Sequence, residues 1–230
     1  MKRLVLAVIV AAAALALFCY AQTNQVLSRN AVGYVQVSVP SGGYALVSLN
    51  FESLDGSDLT IADVVGDQLP VGSYAHIWDR NSKVYQSELR TRGGWSPGTN
   101  VITRGVGFWL EVPSSAATAS EHIVYVMGEV PDSFNQGATT TISNVQGLDA
   151  LAYPFPSAVV WTNTALASNA LVGDYLHVWN VTSQSYNSYL KTRGGWTTPD
   201  NFTIEPGQSF WFETSGTQDW TEIKPYTWPE

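Results

Sequence analysis

The sequence predicts an all-β protein made of two similar antiparallel domains, each a β-sandwich or a small barrel. Short hydrophobic runs alternate with period two and are separated by Gly, Pro, Asn and Asp, which is typical of strands joined by tight turns. No segment shows helical periodicity over the length of a normal helix. Three motifs also recur in the same order: Tyr-x-His-x-Trp (74–78, 175–179), Thr-Arg-Gly-Gly-Trp (91–95, 192–196) and Phe-Trp-x-Glu (108–111, 210–213).

The spacing of these motifs indicates an internal duplication. The offset between copies is 101 residues for the first two motifs and 102 residues for the third, so the second copy has gained one loop residue between its second and third motifs. We therefore predict a first β-domain at 22–128, a connector at 129–140 and a second β-domain at 141–230.

Residues 1–21 have the composition of a secretory signal peptide. Lys2 and Arg3 are followed by an apolar stretch of 16 residues at 4–19, and small residues precede a cleavage site near Ala21. The alternative of a retained anchor is disfavoured because a membrane-spanning helix needs roughly 20 apolar residues. We expect a secreted protein, extracellular or at the cell surface, with the periplasm as an alternative and no membrane span after cleavage.

The expected elements of the two domains follow one plan. The first domain is predicted to contain strands at 34–39, 44–51, 74–79, 83–91, 108–112 and 123–126, with one helical turn at 60–65. The second domain begins near Gly137 and is predicted to contain strands at 147–155, 175–180, 184–192 and 210–214, with one helical turn at 164–168. In both domains the middle pair forms a hairpin around a polar turn.

Composition restricts the classes of partner and chemistry. Charged residues make up 13% and aromatic residues 12% of the chain, which favours a folded protein over a disordered one. Signal cleavage removes Lys2, Arg3 and the single cysteine, which leaves a cysteine-free chain with a net charge of −10. Disulfides and cysteine ligands are thereby excluded, and the acidic balance argues against nucleic acid and anionic lipid.

Period-two geometry predicts an aromatic face on each domain. In the strand 74–79, Ala75 and Ile77 point to one side and Tyr74, His76 and Trp78 to the other. The same pattern adds Trp109 and Glu111 in the first domain, and Tyr175, His177, Trp179, Trp211 and Glu213 in the second. These faces could be covered by loops, by the opposite repeat or by a second sheet. They could instead form a subunit or polymer interface, or bind sugar rings by stacking.

Other candidate binding residues lie in the repeated Gly-Gly turn and at the chain end. Arg92 with Trp95, and Arg193 with Trp196, form either a turn whose indole closes the end of the domain or a repeated binding pair. Trp228 lies in a tail that could dock into the same molecule or into a neighbour, as could residues 22–39.

We expect no metal and no cofactor, because the two histidines of the aromatic faces have only Glu111 and Glu213 as further candidate ligands. We also expect no catalytic activity. The chain has no Gly-x-Ser-x-Gly elbow and no His-Glu-x-x-His motif. Pairs of carboxylates such as Asp63 and Asp67 are not preserved in the second copy.

Several short motifs carry a family resemblance: Val-Gly-Tyr-Val-x-Val-x-Val-Pro (32–40), Leu-Val-Ser-Leu-Asn (46–50), Gly-x-Gly-Phe-Trp (105–109) and Val-Met-Gly-Glu-Val-Pro (126–131). With the diverged second round, this order resembles a group of secreted tandem β-domain proteins common in verrucomicrobial-type bacteria. The resemblance implies export and duplication, and it implies no activity or catalytic residues.

Three functions from different classes follow. The first is a non-catalytic structural protein of the bacterial cell surface or extracellular matrix, which would assemble with copies of itself into a filament or layer through aromatic-rich faces and extended termini. The alternative is a carbohydrate-binding module that uses the repeated Trp and Tyr faces to hold a polysaccharide. The third, a secreted hydrolase, is disfavoured because no acid–base set is recognisable.

Overall fold

A computed structural model describes residues 31–131 and 137–227, and it confirms the all-β prediction. We refer to these two ranges as the first half and the second half. The predicted signal peptide, part of the predicted connector and Trp228 lie outside the described residues. Within the described ranges, no helix is both long and apolar enough to cross a membrane.

The first half contains nine strands and one short helix. The strands are β1 Val32–Pro40, β2 Gly43–Ser48, β3 Leu59–Thr60, β4 Tyr74–Asp79, β5 Val84–Thr91, β6 Gly94–Ser96, β7 Val101–Ile102, β8 Gly107–Val112 and β9 Glu121–Glu129, and the helix α1 is Ile61–Val64. Its main sheet has the order β2-β8-β4-β5-β6, and β1-β9 and β3-β7 form separate antiparallel pairs.

The second half contains seven strands, a 3-10 turn and one short helix. The strands are β10 Thr139–Ala152, β11 Val159–Val160, β12 Tyr175–Asn180, β13 Ser185–Thr192, β14 Gly195–Trp196, β15 Thr203–Ile204 and β16 Ser209–Ile223; the 3-10 turn is Trp161–Asn163 and the helix α2 is Ala165–Asn169. The main sheet has the order β10-β16-β12-β13-β14, with β11-β15 as a separate pair.

The two main sheets share one topology and one register. Tyr74 pairs with Glu111 and His76 with Trp109 in the first half, while Tyr175 pairs with Glu213 and His177 with Trp211 in the second. The long strand β10 corresponds to β1 and β2 together, and β16 corresponds to β8 and β9 together. The pairing of β10 with β16 therefore replaces two separate pairings of the first half, β1 with β9 and β2 with β8. Origin by duplication stays a prediction from the sequence.

Each main sheet buries its aliphatic side, as the alternation predicts. In the first half, Ala75 and Leu110 pack with Val124 of β9 and Ile61 of α1 in one core. In the second half the corresponding core joins Leu176 and Phe212 to Trp161 and Leu166. The strand pairs and the short helix therefore cover the aliphatic face of each main sheet. They leave the opposite, aromatic face of the sheet uncovered within its own half.

Both predicted helical turns form, and capping explains where they start. The backbone N–H of Thr60 donates to Asp63 Oδ2 at 2.9 Å, and Thr164 Oγ1 accepts from the backbone N–H of Ala167 at 3.1 Å. In the first helix a carboxylate of the first turn therefore accepts from the threonine that precedes the helix, whereas in the second helix the threonine hydroxyl accepts from an amide that has no partner inside the helix.

Three predicted strands have wrong boundaries. The strand expected at 147–155 is β10, which begins at Thr139 and ends at Ala152. The strand expected at 210–214 continues to Ile223, because β10 pairs with it along its length through two irregularities. The strand expected to reach Phe51 ends at Ser48. Beyond it, the Asn50 side chain accepts from Gly207 N at 2.8 Å and donates to the carbonyl of Tyr153 at 2.6 Å, both in the second half.

The two halves dock reciprocally through their turns. A Cβ added at Gly105 would lie 2.5 Å from Ile142 Cδ1, and one added at Gly207 would lie 3.1 Å from Val35 Cγ1. Each turn thus enters the other half, and each glycine has a positive φ that a larger residue would strain. Short bridges from Val47 to Gln208, and from Val106 to Leu151, extend the contact.

Candidate binding site: an aromatic cluster between the halves

The aromatic faces of the two main sheets pack against each other. Trp78 contacts Trp211 with ring centroids 5.1 Å apart, and Trp179 contacts Trp109 at 5.0 Å, both edge-on. Trp109 and Trp211 are only 8% and 4% exposed. Together with Tyr85 and Tyr186 they form what we call the six-ring cluster: Trp78, Tyr85, Trp109, Trp179, Tyr186 and Trp211.

Of the alternatives open at the sequence level, coverage by the opposite repeat is the one that the structure shows. The four tryptophans do point away from the aliphatic core of their own half, as the pleat predicts. They do not form an outer surface, however, so the expected assembly of separate molecules through these indoles is not available. The interface that they make lies within one chain.

A hydrogen-bonded Ser, His and Glu set lies at the edge of the cluster in each half. His76 Nδ1 lies 2.7 Å from Ser87 Oγ, and its Nε2 lies 3.0 Å from Glu111 Oε2. In the second half, His177 makes the corresponding contacts with Ser188 at 2.7 Å and Glu213 at 3.3 Å. Each histidine also stacks on a tyrosine, Tyr74 or Tyr175, with nearly parallel rings.

Four residues of this region were missed in the sequence analysis: Tyr85, Ser87, Tyr186 and Ser188. Their signal is present, because the word Tyr-x-Ser at 85–87 recurs at 186–188 with the same offset as the longer motifs. The repeat alone does not show which residues these side chains meet. The pairing of β5 with β4 decides this, because it places Ser87 opposite His76 and Tyr85 opposite Trp78. The expectation that no acid–base set is recognisable is corrected by this geometry.

The Ser, His and Glu sets are suited to orienting a ligand. In a nucleophilic site the serine needs N–H donors facing the developing oxyanion. Ser87 and Ser188 lie in the middle of paired strands, whose backbone N–H groups point along the sheet towards neighbouring strands and not out of its face. Both ring nitrogens of each histidine are engaged within the set, so the histidine holds the serine and the glutamate in place. The hydroxyl and the carboxylate keep further capacity to exchange hydrogen bonds with polar groups of a bound molecule.

An open cleft lies beside each set. Cleft 1, of about 390 Å³, is lined by Tyr44, His76, Tyr85, Ser87, Trp109, Trp179 and Tyr186. Cleft 2, of about 370 Å³, is lined by Trp78, Tyr85, Leu148, His177, Tyr186, Trp211 and Glu213. Each cleft takes indoles from both halves, so neither exists in an isolated half. Tyr85 and Tyr186 line both clefts.

The phenols of the clefts are held in their neutral form. Burial raises the pKa of Tyr186 to about 12, and the neighbouring Tyr85 phenol adds to that shift. Burial likewise raises the pKa of Tyr85, while the pKa of Tyr44 is raised by burial and then by the Glu111 carboxylate. These hydroxyl groups therefore remain hydrogen-bond donors over the whole physiological range.

The clefts differ at one strand position. Tyr44 pairs with Glu111 beside cleft 1, and Leu148 pairs with Glu213 beside cleft 2. The Glu111 side chain is 21% exposed and the Glu213 side chain 56%, in line with the loss of the covering phenol. Cleft 2 therefore offers a more accessible carboxylate than cleft 1.

The hairpin tips that close the interface also differ. In the first half, Arg80 and Lys83 form ion pairs with the fully buried Asp149 at 3.2 and 2.5 Å. In the second half, Gln184 uses its side-chain amide to pair with the backbone N–H and carbonyl of Tyr44 at 2.7 and 3.0 Å. Both tips fix the opposite half beside its cleft.

The remaining predicted site residues are placed away from the clefts. Trp95 is buried in the first core and donates to the carbonyl of Gly66 at 2.7 Å, and Trp196 donates to that of Ala167 at 3.0 Å. These indoles close the ends of the halves, as the turn interpretation states. Arg92 and Arg193 are exposed at the turns, and the cation over Trp196 is Lys191.

Within the described residues, no group of three or more His, Asp, Glu or Cys side chains is arranged to hold a metal ion. No protein-family model matches the chain, and neither the curated proteins nor the solved structures contain a match. The case for a function therefore depends on the geometry of the clefts.

Proposed function

We propose that this protein is an exported, non-catalytic carbohydrate-binding protein that holds its ligand in the two clefts beside the six-ring cluster. One observation carries the proposal: in each cleft a partly exposed tyrosine, 46% for Tyr85 and 43% for Tyr186, lies next to a hydrogen-bonded Ser, His and Glu set. Sugars combine an apolar ring face with a rim of hydroxyl groups, which matches this combination of ring and polar groups.

The test is retention of residues 22–230 on insoluble cellulose, chitin, β-1,3-glucan and mannan, compared with Tyr85→Ala, Tyr186→Ala and the double variant. We expect each single variant to weaken binding and the double variant to abolish it, because the stacking surface of both clefts is lost. Tyr34→Ala is the matched control, since Tyr34 is an exposed tyrosine outside both clefts. Equal retention of the double variant and the control would refute the proposal.

A second candidate, self-association as a structural surface protein, is favoured by the outer face of the β1-β9 pair. Four of its neighbouring side chains are strongly exposed: Val32 66%, Tyr34 69%, Leu54 60% and Met127 58%. The corresponding face of the second half exposes Thr139, Thr141 and Thr221 with only Ile223. The second half folds with a largely polar surface at this place, so the fold itself does not require the exposed apolar side chains of the β1-β9 pair. We propose that a second copy of this chain binds to them.

The second candidate predicts concentration-dependent association by light scattering. Tyr34→Ser combined with Met127→Ser should leave the protein monomeric at every concentration and should not change retention on polysaccharide. Conversely, Tyr85→Ala with Tyr186→Ala should leave association unchanged. A wild-type protein that stays monomeric throughout would exclude this candidate.

A further inference from the structure

The two clefts meet at a shared pair of tyrosines. Tyr85 packs on Trp78 at 5.0 Å and approaches Trp211 at 6.3 Å, while Tyr186 packs on Trp179 at 4.9 Å and approaches Trp109 at 6.3 Å. Each phenol thus rests on indoles of both halves and lines both clefts. Both rings remain partly exposed, so they form a common floor between the clefts.

Aromatic rings continue outward from this pair in both directions. On one side Tyr85 is followed by His76 at 6.3 Å and then by Tyr74 at 5.9 Å. On the other side Tyr186 is followed by His177 at 6.3 Å and then by Tyr175 at 5.6 Å. Tyr74 and Tyr175 back the histidines by stacking on them, and the histidines themselves line the clefts, His76 in cleft 1 and His177 in cleft 2. The rings of both clefts are thus joined through the tyrosine pair, which fits an elongated ligand better than a compact one.

Charge restricts the ligand further. Among the described residues, the side chains that line the clefts include no Lys or Arg. Glu213 lines cleft 2, and Glu111 lies behind His76 of cleft 1. A chain with a net charge of −10 after signal cleavage also repels polyanions at long range. A neutral chain that carries hydroxyl groups needs no cation in the clefts and is not repelled by the negative net charge. The Ser, His and Glu sets can form hydrogen bonds with its hydroxyl groups.

We propose that the two clefts form one groove that binds a single neutral, linear polysaccharide chain across the junction between the halves. This inference rests on the carbohydrate-binding function proposed above. One chain contacts both Ser, His and Glu sets at once, with Tyr85 and Tyr186 beneath its middle.

The test is calorimetric titration with cello-oligosaccharides, laminari-oligosaccharides and chito-oligosaccharides, each series running from the monosaccharide to the octasaccharide. Short members fill the clefts independently, so two bind per protein molecule. Members long enough to reach both clefts bind one per protein, with affinity higher by about tenfold or more, because the second contact becomes intramolecular.

Glu213→Gln is the one-sided variant, since its carboxylate is exposed and contacts only cleft 2. We expect it to remove most of the affinity gain with length while binding of short members in cleft 1 persists. The matched control is Glu205→Gln, an exposed carboxylate outside both clefts.

The outcomes separate the two levels of the proposal. If two molecules bind per protein at every length with constant affinity, carbohydrate binding stands and the continuous groove is refuted. If a polyanion such as polygalacturonate binds as tightly as the neutral series, the charge argument is refuted. If none of the series and none of the insoluble polymers binds, the proposed function fails together with this inference.

Discussion

The indole of Trp78 packs edge-on against the indole of Trp211, with ring centroids 5.1 Å apart and an interplanar angle of 79°. Trp179 and Trp109 make the same contact with the halves exchanged, at 5.0 Å and 87°. Each pair takes one ring from each half, so neither half can cover its aromatic face alone. The described residues contain no cysteine, so this contact holds the two halves together without a disulfide between them.

We expect the protein to unfold as one cooperative unit that depends on these rings. Trp211→Ala should lower the free energy of unfolding by about 3–5 kcal/mol, because a large buried side chain is replaced by a cavity. Trp109→Ala should act similarly, and Tyr34→Ala should change stability by no more than about 0.5 kcal/mol. Urea denaturation followed by circular dichroism measures all three variants. Two separate transitions in the wild type would contradict the dependence of the halves on each other.

The buried carboxylate of Asp149 should be a second major contributor. Asp149→Ala removes the partner of both Arg80 and Lys83 and leaves two cations at a largely buried interface. The expected loss is about 3–5 kcal/mol. Asp58→Ala, at an exposed position, serves as the control and should change stability by less than about 0.5 kcal/mol. A small effect of Asp149→Ala would mean that solvent compensates the two cations.

Glu222 should make stability depend on pH. Its carboxylate accepts from the backbone N–H of Ala165 at 2.6 Å and from Trp220 Nε1 at 2.7 Å, while burial raises its pKa above the ordinary value. A raised pKa in the folded state favours the protonated form, so its contribution to stability is fully present below the unfolded pKa and is lost as pH rises through the folded pKa.

Glu222→Gln keeps an acceptor oxygen for both donors and cannot ionise. The wild type should therefore lose stability relative to this variant as pH rises from about 4 to neutrality, with both sets of hydrogen bonds retained. Chemical denaturation of both proteins across this range measures the difference. A difference that is constant with pH would show that Glu222 does not titrate differently in the folded and unfolded states.

The Ser, His and Glu sets should contribute to binding and not to hydrolysis. Ser87→Ala with Ser188→Ala should weaken polysaccharide binding by about 0.5–1.5 kcal/mol per lost hydrogen bond. The wild type should hydrolyse p-nitrophenyl acetate no faster than the double variant does. A serine-dependent burst of nitrophenol would contradict this and would return the hydrolase hypothesis to consideration.

The geometry of the site explains why only part of it could be predicted. His76, Trp78, Trp109 and Glu111 were correctly assigned to one face, because side chains alternate across a strand and each strand carried its own pattern. Ser87 and Tyr85 were missed, since their place beside His76 and Trp78 depends on the register between β4 and β5. The register between two strands is set by the turn that joins them and by core packing, so it cannot be predicted from the pattern of either strand alone.

The sequence by itself determined the all-β class, the two short helices, the hairpins and the separation of aliphatic from aromatic faces. All of these follow from local periodicity and turn residues, which act over a few positions. Only the tertiary structure decided that the two aromatic faces meet and leave open clefts on either side of Tyr85 and Tyr186. The alternation of side chains along a strand determines the face on which an indole lies. The residues that contact the indole on that face are determined by how segments distant in the sequence pack together.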